Sequence, residues 1–370
     1  MLITLRCFYI NLPLGGATLV VIAFLYRPKS EMKPKKLEAG LRAKLRQLDM
    51  LGTAIFLPMI VCLILALQWG GLEYPWSNGR VITGLILFGI LLMAFVVTQI
   101  LAKNDATVPP RLVRQRSIAA AFFFRFTIGS SHFMVTYYLP TWFQAIKGVP
   151  VIDSGVRSLA LMLSLVVASI VGGLLISKVG YYNPFIILTS VLTSVGAGLL
   201  STLQVNSGAG LWIGYPIIYG AGAGLGIQQS IVVAQTVLAP PDVPTGTALL
   251  TFSQTLGGTI FISVGQNSIQ SRLIMRLEGL LTDPKAVLAS GATKLSSLVP
   301  ADKLQVTRAA YNSAITAVFH IAAAMAAVSI LGAAALEWRK VRSRKELMAE
   351  MAKKKAEAQK AQAINKESGT

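Results

Sequence analysis

Long apolar runs separated by short polar or basic stretches dominate the chain. Nine of them, near 7–26, 49–69, 81–102, 117–139, 155–177, 183–203, 210–238, 245–268 and 314–337, hold mostly hydrophobic residues. Each is about 20 residues or more, enough for a helix to cross roughly 30 Å of hydrocarbon. The pattern predicts an all-α integral membrane protein with nine spanning helices.

Small and polar residues are densest between 208 and 269, where two apolar runs meet at the proline corner APPDVPTG. Gly220, Gly222, Gly224 and Gly226 give overlapping small-xxx-small spacings. Such spacings let helix backbones approach closely where lipid supplies no hydrophobic drive for association. Gln228 and Gln235, seven apart, share a helix face, and Thr247, Thr251, Gln254 and Gly258 form one stripe on the next helix. A polar stripe in a membrane helix faces protein or water, because an unsatisfied amide in lipid is costly. Two readings stand side by side: these residues line a substrate path, or they hydrogen-bond between helices.

Composition agrees with the pattern, at 54% hydrophobic and 13% charged. A net charge of +19 would suit a nucleic-acid partner, but the charges lie in clumps between the apolar runs. Alternating the loops from an outer N-terminus puts eight Lys or Arg in 27–48, four in 103–116 and ten in the tail, all on the inner side. The short outer loops carry only Arg80, Lys147 and Arg157. This is the positive-inside distribution, and it predicts a cytosolic C-terminus. The five tryptophans, Trp69, Trp76, Trp142, Trp212 and Trp338, fall at or just beyond predicted helix ends, as interfacial indoles do. Leu37, Leu41, Leu45 and Leu48 recur among Lys and Arg, predicting an amphipathic helix on the inner leaflet. Residues 270–313 read as a long outer loop and 338–370 as a basic tail.

The candidate chemistry is sparse. All fifteen Asp and Glu fall in loops, tails or helix edges, so no carboxylate stands at the membrane centre. Arg125 and His132 remain, seven apart on one face, with His320 in the last span. Arg125 either attracts an anionic substrate or partner carboxylate, or snorkels to the inner surface. Lying about nine residues into its helix, it is assigned here to the surface. His132 titrates near neutral pH if it is functional, and is otherwise a packed core residue. There is no G-x-x-x-x-G-K-[ST] loop, nucleophile elbow or metal-ligand spacing, and Cys7 and Cys62 make no disulfide framework. Neither an enzyme nor a cofactor is indicated.

Four stretches carry a family resemblance: CFYINLPLGG at 7–16, YYLPTWFQAIKGVPVIDSGV at 137–156, GGLLISKVGYYNP at 172–184, and AQTVLAPPDVPTGTALLTFSQTLGGTIFISVGQ at 234–266. They resemble the major facilitator superfamily, and within it the fourteen-helix fungal drug:proton antiporters. In that family NLPxGG opens the sixth helix, so the resemblance implies that the nine spans are the sixth to fourteenth and that the chain is N-terminally truncated. It implies four parts: 1–26 as the last helix of the N-terminal half, 27–116 as a basic linker with two extra helices, 117–337 as the six-helix C-terminal half, and 338–370 as the tail. The second-half signature loop survives as Gly173, Leu175, Lys178 and Gly180, with Ser177 and Tyr181 where the family has Asp and Arg. The implied activity is proton-coupled efflux of small amphipathic organic compounds, drugs or secondary metabolites, across the plasma membrane or the vacuolar membrane. The implied substrate path holds Gln228, Gln235, Thr251, Gln254, Arg125 and His132. Basic amino acids and siderophores are the alternative cargo, and a non-transporting remnant or membrane partner protein is the alternative role. Because alternating access needs two halves, a chain with one complete half is not expected to transport alone.

Overall fold

The computed structural model describes residues 11–25, 49–70, 74–102, 108–278, 299–300 and 302–341. Met1–Leu48 and Asp49–Thr370 form separate compact units. The first contains α1 (Asn11–Leu25), the described part of the first predicted span. The predicted amphipathic helix at 27–48 and nearly all of the tail lie outside the described residues.

The second unit is helical throughout its described elements: α2 (Met50–Trp69), α3 (Gly79–Ala102), the short α4 (Pro110–Val113), α5 (Arg116–Lys147), α6 (Val151–Val179), α7 (Asn183–Ser201), α8 (Ala209–Gly226), α9 (Gln229–Val237), a 3-10 turn (Pro240–Asp242), α10 (Val243–Leu277) and α11 (Leu304–Ala335). Eight segments among the described residues are long and apolar enough to cross a membrane, with α8 and α9 counted as one span. Six spans pack side by side in the order α10, α5, α11, α7, α8, α6. The two remaining spans, α2 and α3, pack on each other, and α2 also lies against α10. The helix pair is capped at one end by Asp49, whose carboxylate accepts from Gly52 N (2.9 Å) and from Gln99 Nε2 of α3 (2.8 Å).

Glycine spacing sets how closely the helices approach. On α8, Gly220 and Gly224 lie against the Leu161 and Leu165 carbonyls of α6, while Gly222 and Gly226 lie against Leu192, Thr193 and Thr189 of α7. The overlapping spacings thus serve two partners on two faces of one helix. Gly258 of α10 meets the Phe133 ring of α5, where a Cβ would fall 2.5 Å from ring carbons.

Several expectations need correction. α5 runs through Pro140 to Lys147 instead of stopping near 139, because a proline is tolerated in a membrane helix when neighbours satisfy the freed backbone. α10 continues to Leu277 and α11 begins at Leu304, which shortens the expected 270–313 loop. Trp142 lies within α5, which runs on to Lys147, and not at or beyond the helix end; it is fully buried and donates from Nε1 to Asn312 Oδ1 of α11 at 2.7 Å. Asn312 in turn donates to Leu203 O at 2.9 Å, closing a three-element link. Trp142→Phe strands the Asn312 oxygen, and a buried acceptor without its donor costs about 1–3 kcal/mol. A thermal melt of the detergent-purified variant is expected to show that loss, and an unchanged melting temperature would contradict it.

The loop between α6 and α7 is tied to the segment after α11. Gly180, with φ 77°, ends α6 in the left-handed region, and its carbonyl accepts from Val341 N at 2.8 Å. Tyr182 donates to Glu337 O (2.8 Å) and Asn183 to Leu336 O (3.2 Å). The left-handed turn is where glycine is needed. Gly173, by contrast, has only ordinary contact with Gln229, and Lys178 is exposed.

Candidate functional site

The run expected to be one helix over 210–238 is two. α8 ends at Gly226, Ile227 and Gln228 form a turn, and α9 starts at Gln229. Four glycines in the last turns of α8 lower its helix propensity. After the turn, the Ile231 amide donates to Gln228 O at 3.1 Å, a tightened bond that starts α9. Side chains occupy the Ile227 carbonyl: Ser230 Oγ donates to it at 2.6 Å and Arg125 Nη1 at 3.1 Å. Irregular backbone at membrane depth persists only where protein or a cavity satisfies it.

Arg125 does not snorkel. It is 2% exposed, reaching sideways from α5 to the break. Nη1 also donates to Ser230 Oγ at 2.8 Å, and Nη2 donates to Gln254 Oε1 of α10. One guanidinium therefore joins three spans. It sits where the C-terminal end of α8 places partial negative charge, which favours a cation. Gly129, one turn further along α5, lets Gln254 come close, since a Cβ there would fall 2.7 Å from Gln254 Cγ. Among the described residues no carboxylate pairs with Arg125, and its Nε has no hydrogen-bond partner. The positive charge is held by neutral oxygens alone.

His132 lies two turns beyond Arg125 on the same helix. Its Nδ1 is buried without a hydrogen-bond partner. It lines a cavity of about 320 Å³ between α5, α6 and α8, together with Leu165, Ser169, Ile170, Ile227 and Gln228. Ile227 thus faces the cavity while its carbonyl accepts from Arg125. Deeper in the bundle, Ser131 and Tyr219 hydroxyls meet at 3.0 Å, a polar contact between α5 and α8.

The structure therefore joins Arg125 to Gln254 and places His132 with Gln228. Gln235 is exposed on α9, and Thr251 is exposed on α10 with its hydroxyl on Thr247 O at 3.0 Å; neither lines that cavity. His320 is exposed on α11, its Nδ1 2.9 Å from Thr316 O. Sequence reasoning missed Ser230, Gly129 and the Ile227 carbonyl; the small residue at i+4 from Arg125 was the available signal for Gly129. The arrangement offers hydrogen-bond donors and a fixed positive charge, with no group of three potential metal ligands among the described residues.

The chain is 46% identical over 342 residues to the MFS-type efflux pump MFS1 of Arthroderma benhamiae, covering 92% of this chain and 63% of that protein. It is 47% identical over 338 residues to the efflux pump roqT of Penicillium rubens, covering 91% and 62%. It is 45% identical over 341 residues to the efflux pump aflT of Aspergillus parasiticus, covering 91% and 66%. The chain thus spans just under two thirds of the length of these relatives. No family model matches it. With eight apolar spans among the described residues, the chain is a multi-pass, all-α membrane protein, similar over nine-tenths of its length to proteins named as MFS-type efflux pumps.

Proposed function

We propose that this chain is part of a major facilitator efflux carrier for small amphipathic organic compounds, drugs or fungal secondary metabolites, with protons as the coupling ion. The observation that carries the reading is the buried Arg125, held at a broken span by neutral oxygens beside a cavity. An ionisable group inside a membrane segment is expensive and marks a substrate or ion pathway. The names of the three similar proteins given above, each an efflux pump, point the same way. Apolar walls with a few polar anchors suit a carrier that accepts many related compounds. Arg125 and Gln254 hold the polar end of the cargo, Gln228 and His132 line its passage, and Gln235 and Thr251 extend the polar surface along α9 and α10. His132 carries the coupling proton, being the histidine with an unpartnered ring nitrogen on that cavity.

Binding to the chain in lipid nanodiscs tests this. The probe is pyrenebutyrate, an amphipathic fluorescent carboxylate, with its neutral methyl ester beside it and empty nanodiscs subtracted. Saturable binding is expected. Gln228→Ala removes one hydrogen-bonding side chain, worth about 1 kcal/mol, so its dissociation constant rises about fivefold. Absence of saturable binding, or binding indifferent to Gln228, contradicts the proposed path.

A further inference from the structure

The paired helices α2 and α3 do not close tightly on the six-helix group. Two adjoining cavities, of about 280 and 210 Å³, lie between them and share Phe95, Val108, Leu249 and Phe252 as walls. Phe122 closes the side toward α5, and Phe56 bridges the helix pair to α10, with ring centroids 5.3 Å from Phe95 and 5.2 Å from Phe252. Among the described residues, Thr245 is the one polar side chain in the lining of either cavity. A small-molecule site needs several convergent polar groups to orient its ligand, and the described lining offers only Thr245. An apolar crevice between membrane spans suits a hydrocarbon chain.

Its rim is of different character. Val113 and Ile118 of the lining flank Arg114, which is exposed and has no partner among the described residues. Arg111 is exposed beside it and pairs with Asp242 at 2.6 Å, only three residues before Thr245. The Arg111–Asp242 pair is neutral and the Asp49 carboxylate is tied through Gln99 to Val108, so Arg114 is the uncompensated positive charge at this rim, at the end where α4, α5 and α10 begin. A positive rim over an apolar slot is the complement of one anionic headgroup above its acyl chain.

We infer that this crevice is a binding site for a glycerophospholipid with a net negative headgroup, its acyl chain between Phe95, Leu249 and Phe252 and its phosphate at Arg114 and Arg111. The bound lipid fills the gap between the α2–α3 pair and the rest of the bundle. The site is separate from the Arg125 network.

Fluorescence quenching by bromine-labelled lipid tests the inference. Phe122→Trp places a reporter indole in the slot, and its signal above wild type is read in nanodiscs doped with dibrominated phosphatidylglycerol or dibrominated phosphatidylcholine. Leu249→Trp is a second reporter on the opposite wall, used if the first variant is not monodisperse. One unpaired arginine at a charged lipid surface contributes about 1 kcal/mol, so half-maximal quenching is expected at about fivefold lower mole fraction of the anionic lipid. Arg114→Gln combined with Arg111→Gln is expected to erase that preference while quenching at high lipid content persists. Equal quenching by the two lipids means ordinary boundary lipid and overturns the headgroup assignment. A reporter left unquenched while a Leu163→Trp reporter on the exposed face of α6 is quenched means no lipid enters the slot, and overturns the site.

Discussion

Gly224→Val is expected to abolish the folded bundle in detergent, with loss of the monodisperse peak and of any cooperative melt. A Cβ at Gly224 would meet the Leu165 carbonyl of α6 and come within 2.9 Å of the Ala168 Cβ. Neither neighbour is the free end of a flexible side chain, so the helices themselves must separate. Gly222 and Gly226 hold the opposite face of α8 against α7, so α8 cannot move away from α6 without losing that contact. Overpacking of a close-packed interface costs about 1–3 kcal/mol per site, and more when backbone blocks relief. Gly198→Val and Gly214→Val are the controls. Nothing lies within 4 Å of a Cβ at either position, so both variants should stay monodisperse and melt close to wild type. If Gly224→Val melts with those controls, the close approach of α8 and α6 is not what holds the bundle.

The second large effect separates binding from stability at Arg125. Burying a guanidinium costs several kcal/mol, and hydrogen bonds from a charged donor return about 1.5–3 kcal/mol each. Three such bonds to neutral acceptors leave a near balance, with no carboxylate partner among the described residues to tip it. Removing the guanidinium recovers that burial cost but strands Gln254 Oε1, a loss of about 1–3 kcal/mol, while Ser230 still serves the Ile227 carbonyl. Arg125→Met is therefore expected to melt within a few degrees of wild type. Its dissociation constant for pyrenebutyrate is expected to rise at least about tenfold, because a lost charge-assisted bond is worth 1.5 kcal/mol or more. The methyl ester should lose less, since it offers no negative charge. Arg125→Lys should also bind weakly, as an ammonium cannot span Ile227, Ser230 and Gln254 as the planar fork does. A melt far below wild type, with loss of binding that only tracks loss of folded protein, would make Arg125 a structural tie.

The architecture was largely legible along the chain because hydrophobic length is a direct readout of bilayer thickness. The glycine spacing of α8 was likewise legible, since a missing side chain has one use at such an interface. What the sequence hid depended on partners far away in the chain. Arg125 looks shallow by counting residues, yet its position is set by Gln254, 129 residues on, and by the Ile227 carbonyl. Trp142 looks like a helix-end indole, yet Asn312, 170 residues away, takes its N–H inside the bundle. The break at Ile227–Gln228 contains no proline, but four glycines precede it and the polar Gln228, Gln229 and Ser230 lie in and just after it, a local signal that the apolar length of the whole run outweighed. Gln228 and Gln235 were expected to share one helix face, but Gln228 lies in the turn between α8 and α9 and Gln235 on α9, and the cavity reaches only the first.

The central claim is that the broken span opens onto a watery path that cargo occupies, and cysteine accessibility at position 228 tests it most directly. Cys7 and Cys62 are first replaced by serine, and Gln228→Cys is treated in nanodiscs with a charged, membrane-impermeant methanethiosulfonate. Leu163→Cys, exposed in an apolar groove between α6 and α8, is the comparison at an apolar surface. The account predicts fast modification of Gln228→Cys, slowed by pyrenebutyrate, and negligible modification of Leu163→Cys. Modification of Gln228→Cys as slow as that of Leu163→Cys, or a rate unaffected by saturating probe, would contradict it.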